Sequence, residues 1–263
     1  MQSSPATSTP ILLLWTGGWD STFQLLRMLL LEKLPIQPIY VIDEDRRSTR
    51  QELLALRSIR QSLEAAFPEA MARLLPTRFH ALSEIPPVAT VARAFEQLRR
   101  KSRLGGQYAW LARLCEQLDI HDLQLGVHRG GYSDGLLAPM VEAAGIHGFR
   151  MRRDTAGTPE HAVFGRFSFP LLQMTKGDMQ REVSARGWDD LMALTWFCHR
   201  PRGGRACGAC VPCLFAIEQD MGQRIPPLRR AWGRMLNALE PLRFVAADIL
   251  RGLRTRLRTA RSR

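Results

Sequence analysis

The 263-residue chain is 45% hydrophobic and 24% charged, enough apolar material for a sizeable core, which excludes disorder for most of its length. Its early apolar run, residues 11–15, is too short to span a bilayer. It has neither the charged start nor the small-residue cleavage site of a secretory signal, so a cytoplasmic protein without a membrane span is expected. The net charge of +12 is uneven: ten arginines against Glu240 and Asp248 put residues 228–263 at +8 and leave the other 227 residues at +4. Only three lysines occur (Lys33, Lys101 and Lys176), so part of the arginine content is compositional bias.

Residues 1–10 are rich in Ser, Thr and Pro and read as a flexible N-terminus. Residues 11–15 predict a short buried strand, followed by a Gly-Gly turn and an amphipathic helix over 21–32. A second strand is predicted over 36–42. A helix over 51–67 carries Leu53, Leu56, Ile59, Leu63 and Phe67 at helical spacing. A strand over 78–82, helices over 88–101 and 107–118, a strand over 123–127 and a helix over 135–144 follow. This alternation predicts an α/β fold, a largely parallel sheet with helices on both faces. Such sheets bind ligands where the chain leaves the carboxyl ends of the strands, so the loops after Trp15, Ile42 and Val127 are expected on one edge. From Lys176 the pattern is helical, interrupted by a cysteine loop. The expected division is a main domain over 11–175, a metal-binding helical region over 176–225 and an arginine-rich helical tail over 226–263.

The turn Thr16-Gly17-Gly18-Trp19-Asp20-Ser21 joins the first strand to the first helix. Two glycines let the backbone bend sharply and bring its N–H groups near a ligand. The helix N-terminus adds partial positive charge at the same place, and Thr16 and Ser21 add hydroxyls. The combination can cradle phosphate or pyrophosphate, and Asp20 can hold the Mg²⁺ that accompanies a nucleotide. The alternative is a helix cap by Asp20 or Ser21 that needs no ligand. No lysine follows the glycines at the spacing of a Walker A loop.

Four of the five cysteines, Cys198, Cys207, Cys210 and Cys213, are spaced C-x8-C-x2-C-x2-C. In a chain of this size outside the secretory route, a metal site is the favoured reading. Four thiolates complete a tetrahedral Zn²⁺ shell and leave no open position, so the site would be structural. An iron–sulfur cluster and redox-active or inert cysteines are the alternatives. His199 could replace one thiolate, and Cys115 reads as a core residue.

The 16–21 turn resembles the SGGxDS signature of the PP-loop ATP pyrophosphatases, with threonine in place of the first serine. Thr195-Trp196-Phe197-Cys198 and Cys207-Gly208-Ala209-Cys210-Val211-Pro212-Cys213 resemble the zinc loop of the 7-cyano-7-deazaguanine synthase family within that group. Asp43 with Gln51-Glu52-Leu53, Gly131-Tyr132-Ser133-Asp134, and Pro170 followed by Lys176-Gly177-Asp178-Met179 are similar to further landmarks in the same order. The resemblance implies a Rossmann-like fold of the HUP (adenine nucleotide alpha hydrolase) type, with ATP, Mg²⁺ and Zn²⁺ as cofactors. It implies a nucleotide site at Thr16, Gly17, Gly18, Asp20, Ser21 and Asp43, catalytic roles for Asp20 and Lys176, and a deazapurine pocket lined by Tyr132 and Asp134. Without the resemblance, Lys176 reads as a solvated helix residue and Asp134 as a helix N-cap. The chain departs from the family at Leu104-Gly105-Gly106-Gln107-Tyr108, where an arginine and an asparagine are missing. It departs again at Asp43-Glu44-Asp45-Arg46-Arg47-Ser48, where a histidine is missing.

The activity implied is adenylation of a 7-carboxy-7-deazaguanine-like carboxylate with release of pyrophosphate, then transfer to a nitrogen nucleophile. That nucleophile is ammonia, or a macromolecular amine of protein or RNA approached through the basic tail. A tRNA-modifying PP-loop enzyme and a non-catalytic ATP-binding regulator are the alternatives, and a homodimer is left open. In the tail, Trp232, Met235, Leu239, Leu242, Val245, Ile249, Leu253 and Leu257 recur at helical spacing among the arginines. Pro241 splits or kinks this pattern, which suits helical structure docked with a solvated basic face, or contact with RNA, an acidic protein or a membrane surface.

Overall fold

The computed structural model describes residues 9–102, 104–131 and 133–239. Among these, seven strands form one sheet: β1 (Ile11–Leu14), β2 (Ile36–Ile42), β3 (Arg78–Ala81), β4 (Leu123–Gln124), β5 (Val141–Ala143), β6 (Phe149–Met151) and β7 (Phe167–Ser168). Their order is β3-β2-β1-β4-β7-β6-β5. The strands from β3 to β7 pair in parallel, while β6 runs antiparallel to both β7 and β5. The helices are α1 (Trp19–Leu26), α2 (Thr49–Ala66), α3 (Pro68–Met71), α4 (Ala89–Lys101), α5 (Gln107–Gln117), α6 (Asp134–Leu137), α7 (Pro159–Phe164), α8 (Lys176–Ala185), α9 (Asp189–Ala193), α10 (Val211–Glu218) and α11 (Pro227–Ala238). The chain divides into two compact units between Trp196 and Phe197, so α8 and α9 belong to the first.

The sheet of the first unit is covered on both faces, and β2 shows why. Residues 36–41 are all buried, as expected for a central parallel strand whose alternate side chains enter different cores. Ile39 and Val41 join an apolar cluster with Leu98, Leu111, Leu123, Phe164, Phe167 and Phe169. Ile36 and Tyr40 join a second cluster with Leu13, Trp15, Phe23, Ile59, Leu63 and Leu171. Two polar contacts sit inside this packing: Trp15 Nε1–H donates to Thr22 Oγ1 at 3.1 Å, and Gln24 Nε2–H donates to Gln124 Oε1 at 3.2 Å. The first pair satisfies the buried indole N–H, whereas Gln24 Oε1 and Gln124 Nε2 are left without a hydrogen-bond partner among the described residues.

The expected α/β architecture and largely parallel sheet are present, but several elements differ. The helix expected over 21–32 begins at Trp19 and loosens into a π-helical turn at Arg27–Leu31. The spacing predicts a strand over 123–127, whereas only Leu123–Gln124 forms ladder pairs. The helix expected over 135–144 does not form. After the single turn of α6, Pro139 sits in a 3₁₀ turn, Ala138–Met140, and the chain leaves in extended form as β5. Proline lacks the N–H that a continuing helix needs. The β5–β6 hairpin and β7 carry no recognisable periodicity, because two or three residues are too few to show one. Gly145 (φ 60°) and Gly148 (φ 77°) form the hairpin turn. A Cβ on Gly148 would lie 2.3 Å from Pro170 Cα, so no other residue fits.

Phe164 closes the first apolar cluster against Tyr108, Phe167 and Phe169, with ring centroids 5.0, 6.4 and 6.4 Å away. Replacing Phe164 with Ala is expected to cost about 3–5 kcal/mol of unfolding free energy. Urea denaturation followed by circular dichroism measures it.

Candidate nucleotide site and cysteine centre

In the order β3-β2-β1-β4, the chain winds from β1 outward through β2 and β3, then crosses back to place β4 on the other side of β1. Loops leaving the carboxyl ends of β1 and β4 therefore run in opposite directions, at the position where open parallel sheets hold ligands. The 16–21 turn leaves β1 at this point.

The turn has little freedom. Gly17 has φ 67°, and a Cβ there would lie 3.1 Å from Glu52 O and 3.2 Å from Ala55 Cβ in α2. Its carbonyl accepts the Trp196 N–H at 2.8 Å. Gly18 N–H donates to Thr16 Oγ1, Thr16 N–H donates to Ser21 Oγ, and Ser21 Oγ–H donates to Gly18 O, each at 3.3 Å. The hydroxyls of Thr16 and Ser21 thus hold the shape of the turn, while α1 starts at Trp19 with Asp20 in its first turn. Gly126, after β4, allows close approach from the other side, since a Cβ there would lie 3.0 Å from Asp20 Cβ.

Lys176 is brought to the same point from far along the chain. It is the first residue of α8, whose N-terminus is fixed by a capping box between Thr175 and Asp178. The Lys176 ammonium donates to Asp20 Oδ1 and lies 4.7 Å from the centroid of the Trp19 ring. The side chains are 14% (Lys176) and 31% (Asp20) exposed, so the pair is shielded but reachable. Asp43 directly follows β2 and so shares this edge of the sheet. Its carboxylate accepts the Asp45 N–H at 3.2 Å and its carbonyl accepts the Thr49 hydroxyl at 2.9 Å.

Asp134 is not the N-cap of α6; Ser133 holds that position. The Asp134 carboxylate instead accepts the Gly130 N–H at 2.9 Å and closes the loop after β4. Tyr132 lies outside the described residues. Ser133 is buried and donates to the Tyr108 hydroxyl at 2.8 Å, tying that loop to α5. Burial, the largest cause, raises the Tyr108 phenol above its ordinary value, and the Asp20 charge adds to the effect.

Sequence reasoning does not single out Tyr108 as a site residue, nor the buried Glu52 carboxylate beneath the turn. Glu52 accepts from the Tyr40 hydroxyl at 2.8 Å and the Ser48 hydroxyl at 2.6 Å, with Arg46 Nε 3.7 Å away. Burial first, and then the Glu52 charge, push the Tyr40 phenol strongly upward. In the sequence Glu52 appears only within the Gln51-Glu52-Leu53 resemblance and with no role of its own, and only the fold brings Tyr40 over it. Trp19 occupies the variable position of the turn, so its role beside Lys176 has no sequence signal.

Compared with known proteins, the chain matches no family model and no curated protein.

The second unit contains the cysteine centre. The sulfurs of Cys198, Cys207, Cys210 and Cys213 all lie within 4.8 Å of one another. Two pairs, Cys207–Cys213 and Cys198–Cys210, are 3.9 Å apart. A tetrahedral site with metal–sulfur bonds of ~2.3 Å has sulfur–sulfur edges of about 3.8 Å, so the set fits one zinc ion. Cys207 N–H donates to Cys198 Sγ at 3.2 Å, and the N–H groups of Ala209 and Cys210 donate to Cys207 Sγ at 3.4 and 3.3 Å. Such donors stabilise thiolate charge. Gly208 permits the tight turn: it has φ 75°, and a Cβ there would lie 2.3 Å from Arg229 O.

Hydrogen bonding among the packed sulfurs is the main cause that lowers the Cys210 thiol and raises those of Cys198 and Cys213. The cluster contains no histidine among the described residues. Cys115 is buried in α5 within the first apolar cluster, and burial pushes its thiol up to about 12, as suits a core residue. Elemental analysis of the purified chain is expected to give about one zinc per molecule. Cys213→Ser should lose most of that metal and melt earlier by differential scanning calorimetry.

Proposed function

We propose that the chain is an ATP-dependent carbon–nitrogen ligase of the 7-cyano-7-deazaguanine synthase type, built on a HUP-like sheet. The observation that carries this reading is the convergence of Lys176 and Asp20 on a glycine turn at the reversal point of the sheet. A bare helix cap has no need of a lysine delivered from more than 150 residues away.

In this reading the backbone N–H groups of the 16–21 turn and the N-terminus of α1 receive the phosphates of ATP. Lys176 transfers from Asp20 to a phosphate oxygen, where a compact ammonium suits a point charge. Asp20, released from the lysine, would hold Mg²⁺, which when bound would offset charge on the phosphates. Trp19 keeps the lysine over its ring on the way. A substrate carboxylate oxygen attacks the α-phosphorus, and the bond to the bridging oxygen of the β-phosphate breaks, releasing pyrophosphate. A nitrogen nucleophile then attacks the acyl carbon, AMP leaves, and the nitrogen loses a proton. The loop held by Asp134 and Ser133 and the Tyr108 hydroxyl border the region assigned to the deazapurine.

Pyrophosphate release from Mg·ATP by zinc-loaded protein is expected to depend on 7-carboxy-7-deazaguanine. Lys176→Ala should lower it about 10²–10³-fold while leaving zinc content unchanged. ATP binding without turnover, with every carboxylate and amine offered, would favour the non-catalytic regulator. Turnover that requires tRNA and falls steeply with salt would favour the tRNA-modifying enzyme.

A further inference from the structure

Tyr108 keeps a proton that no described residue takes. It lies in the first turn of α5 and is 7% exposed, with its ring packed against Phe164 at a centroid distance of 5.0 Å. At its oxygen the direction of the hydrogen bond decides what is left over. Ser133 Oγ–H is the donor and the phenol oxygen the acceptor, at 2.8 Å, so the phenol O–H is not spent on Ser133. Among the described residues no other group accepts it. Ser133 is itself 4% exposed and sits on the loop after β4, whose shape the Asp134 carboxylate fixes through the Gly130 N–H. The phenol is therefore held at both ends, by its ring and by its oxygen, with one donor to offer.

That donor belongs to the same edge of the sheet as the 16–21 turn. The loop carrying Ser133 follows Gly126, which comes up against Asp20. Burial is the main cause that keeps the phenol protonated; hydrogen bonds from Ser133 and Gln107 oppose it, and the Asp20 carboxylate is close enough to reinforce it. A buried O–H without an acceptor costs free energy, and a bound acceptor removes that cost.

We propose that the Tyr108 hydroxyl donates to the carboxylate of the substrate and selects ligands that carry one. The inference rests on the carboxylate reading above and names the residue that recognises the group. A reacting carboxylate has to lie beside the α-phosphate, hence on the Asp20 side of the loop, which is the side whose charge the phenol feels. A neutral donor suits that place, because a second cation there would compete with Lys176 for Asp20. The bond from Ser133 polarises the phenol and strengthens the hydrogen bond it gives. Residues 104–108 are a stretch where the sequence departs from the resemblance, so the role belongs to this chain's own residues.

The test is isothermal titration calorimetry on the full zinc-loaded chain, with Mg²⁺ and α,β-methylene-ATP present to prevent turnover. It compares 7-carboxy-7-deazaguanine with 7-deazaguanine, which keeps the ring and its carbonyl and lacks the carboxylate. The wild type is expected to prefer the carboxylate compound. Tyr108→Phe should reduce that preference about 10- to 100-fold and leave 7-deazaguanine binding unchanged, as loss of a hydrogen bond to a charged group predicts. Ser133→Ala breaks the same Ser–Tyr bond but keeps the phenol, and should retain most of the preference. An unchanged preference in Tyr108→Phe, or an equal loss in Ser133→Ala, would overturn the proposal. So would a wild type that binds both compounds equally, a result that needs no variant to fold. A wild type that binds neither compound overturns the carboxylate reading itself, and this inference with it.

Discussion

Gly17 is held on two sides. Its φ of 67° and its close approach to the backbone of α2 leave no room for a side chain, and its carbonyl is engaged by Trp196. That contact fixes the first bend after β1, hence the direction in which α1 leaves and the position of Asp20 at its start. It also joins segments some 180 residues apart, so the turn takes its final shape only when residues 195–196 are in place. The buried Glu52 network serves the same constraint from below, by holding the first turn of α2 against the strand edge. The candidate site is therefore a property of the assembled sheet more than of the hexapeptide.

The sequence makes some of this legible and hides the rest for physical reasons. Residues 36–42 are apolar apart from Gln37 and Pro38 because both faces of β2 are buried, and that pattern predicts the strand correctly. The 16–21 turn stands out because glycine pairs between a strand and a helix have few uses. The region from 135 to 168 is opaque: its strands are two or three residues long, and Pro139 stops an apparent helix after one turn. Lys176 and Asp20 are each visible as candidates, but their contact comes from chain crossing and not from spacing. Asp134 shows the reverse, a residue whose carboxylate serves a loop N–H that no sequence pattern announces.

The cysteine unit relies on a different source of order. Besides the cysteines, only Ala206, Ile217 and Ile225 are buried apolar residues among its described ones, and its fold is organised around four sulfurs, three N–H···S contacts and a glycine under the backbone of Arg229. A centre with no open ligand position fixes geometry without supplying reactivity, which is the role expected of a support for the packed face of α11.

The pairing of Lys176 with Asp20 also sets a rule for what can displace it. A lone divalent cation arriving at Asp20 would expel the ammonium into a partly buried site with no counter-charge, and that expulsion opposes binding. A lone anion arriving at Lys176 would strand the carboxylate in the same way. A ligand that delivers a cation and an anion together exchanges partners with both residues at nearly constant net charge. Under the proposed function, the latch would therefore act as a filter for neutralised ion pairs, favouring a metal-bound polyphosphate over either component by itself.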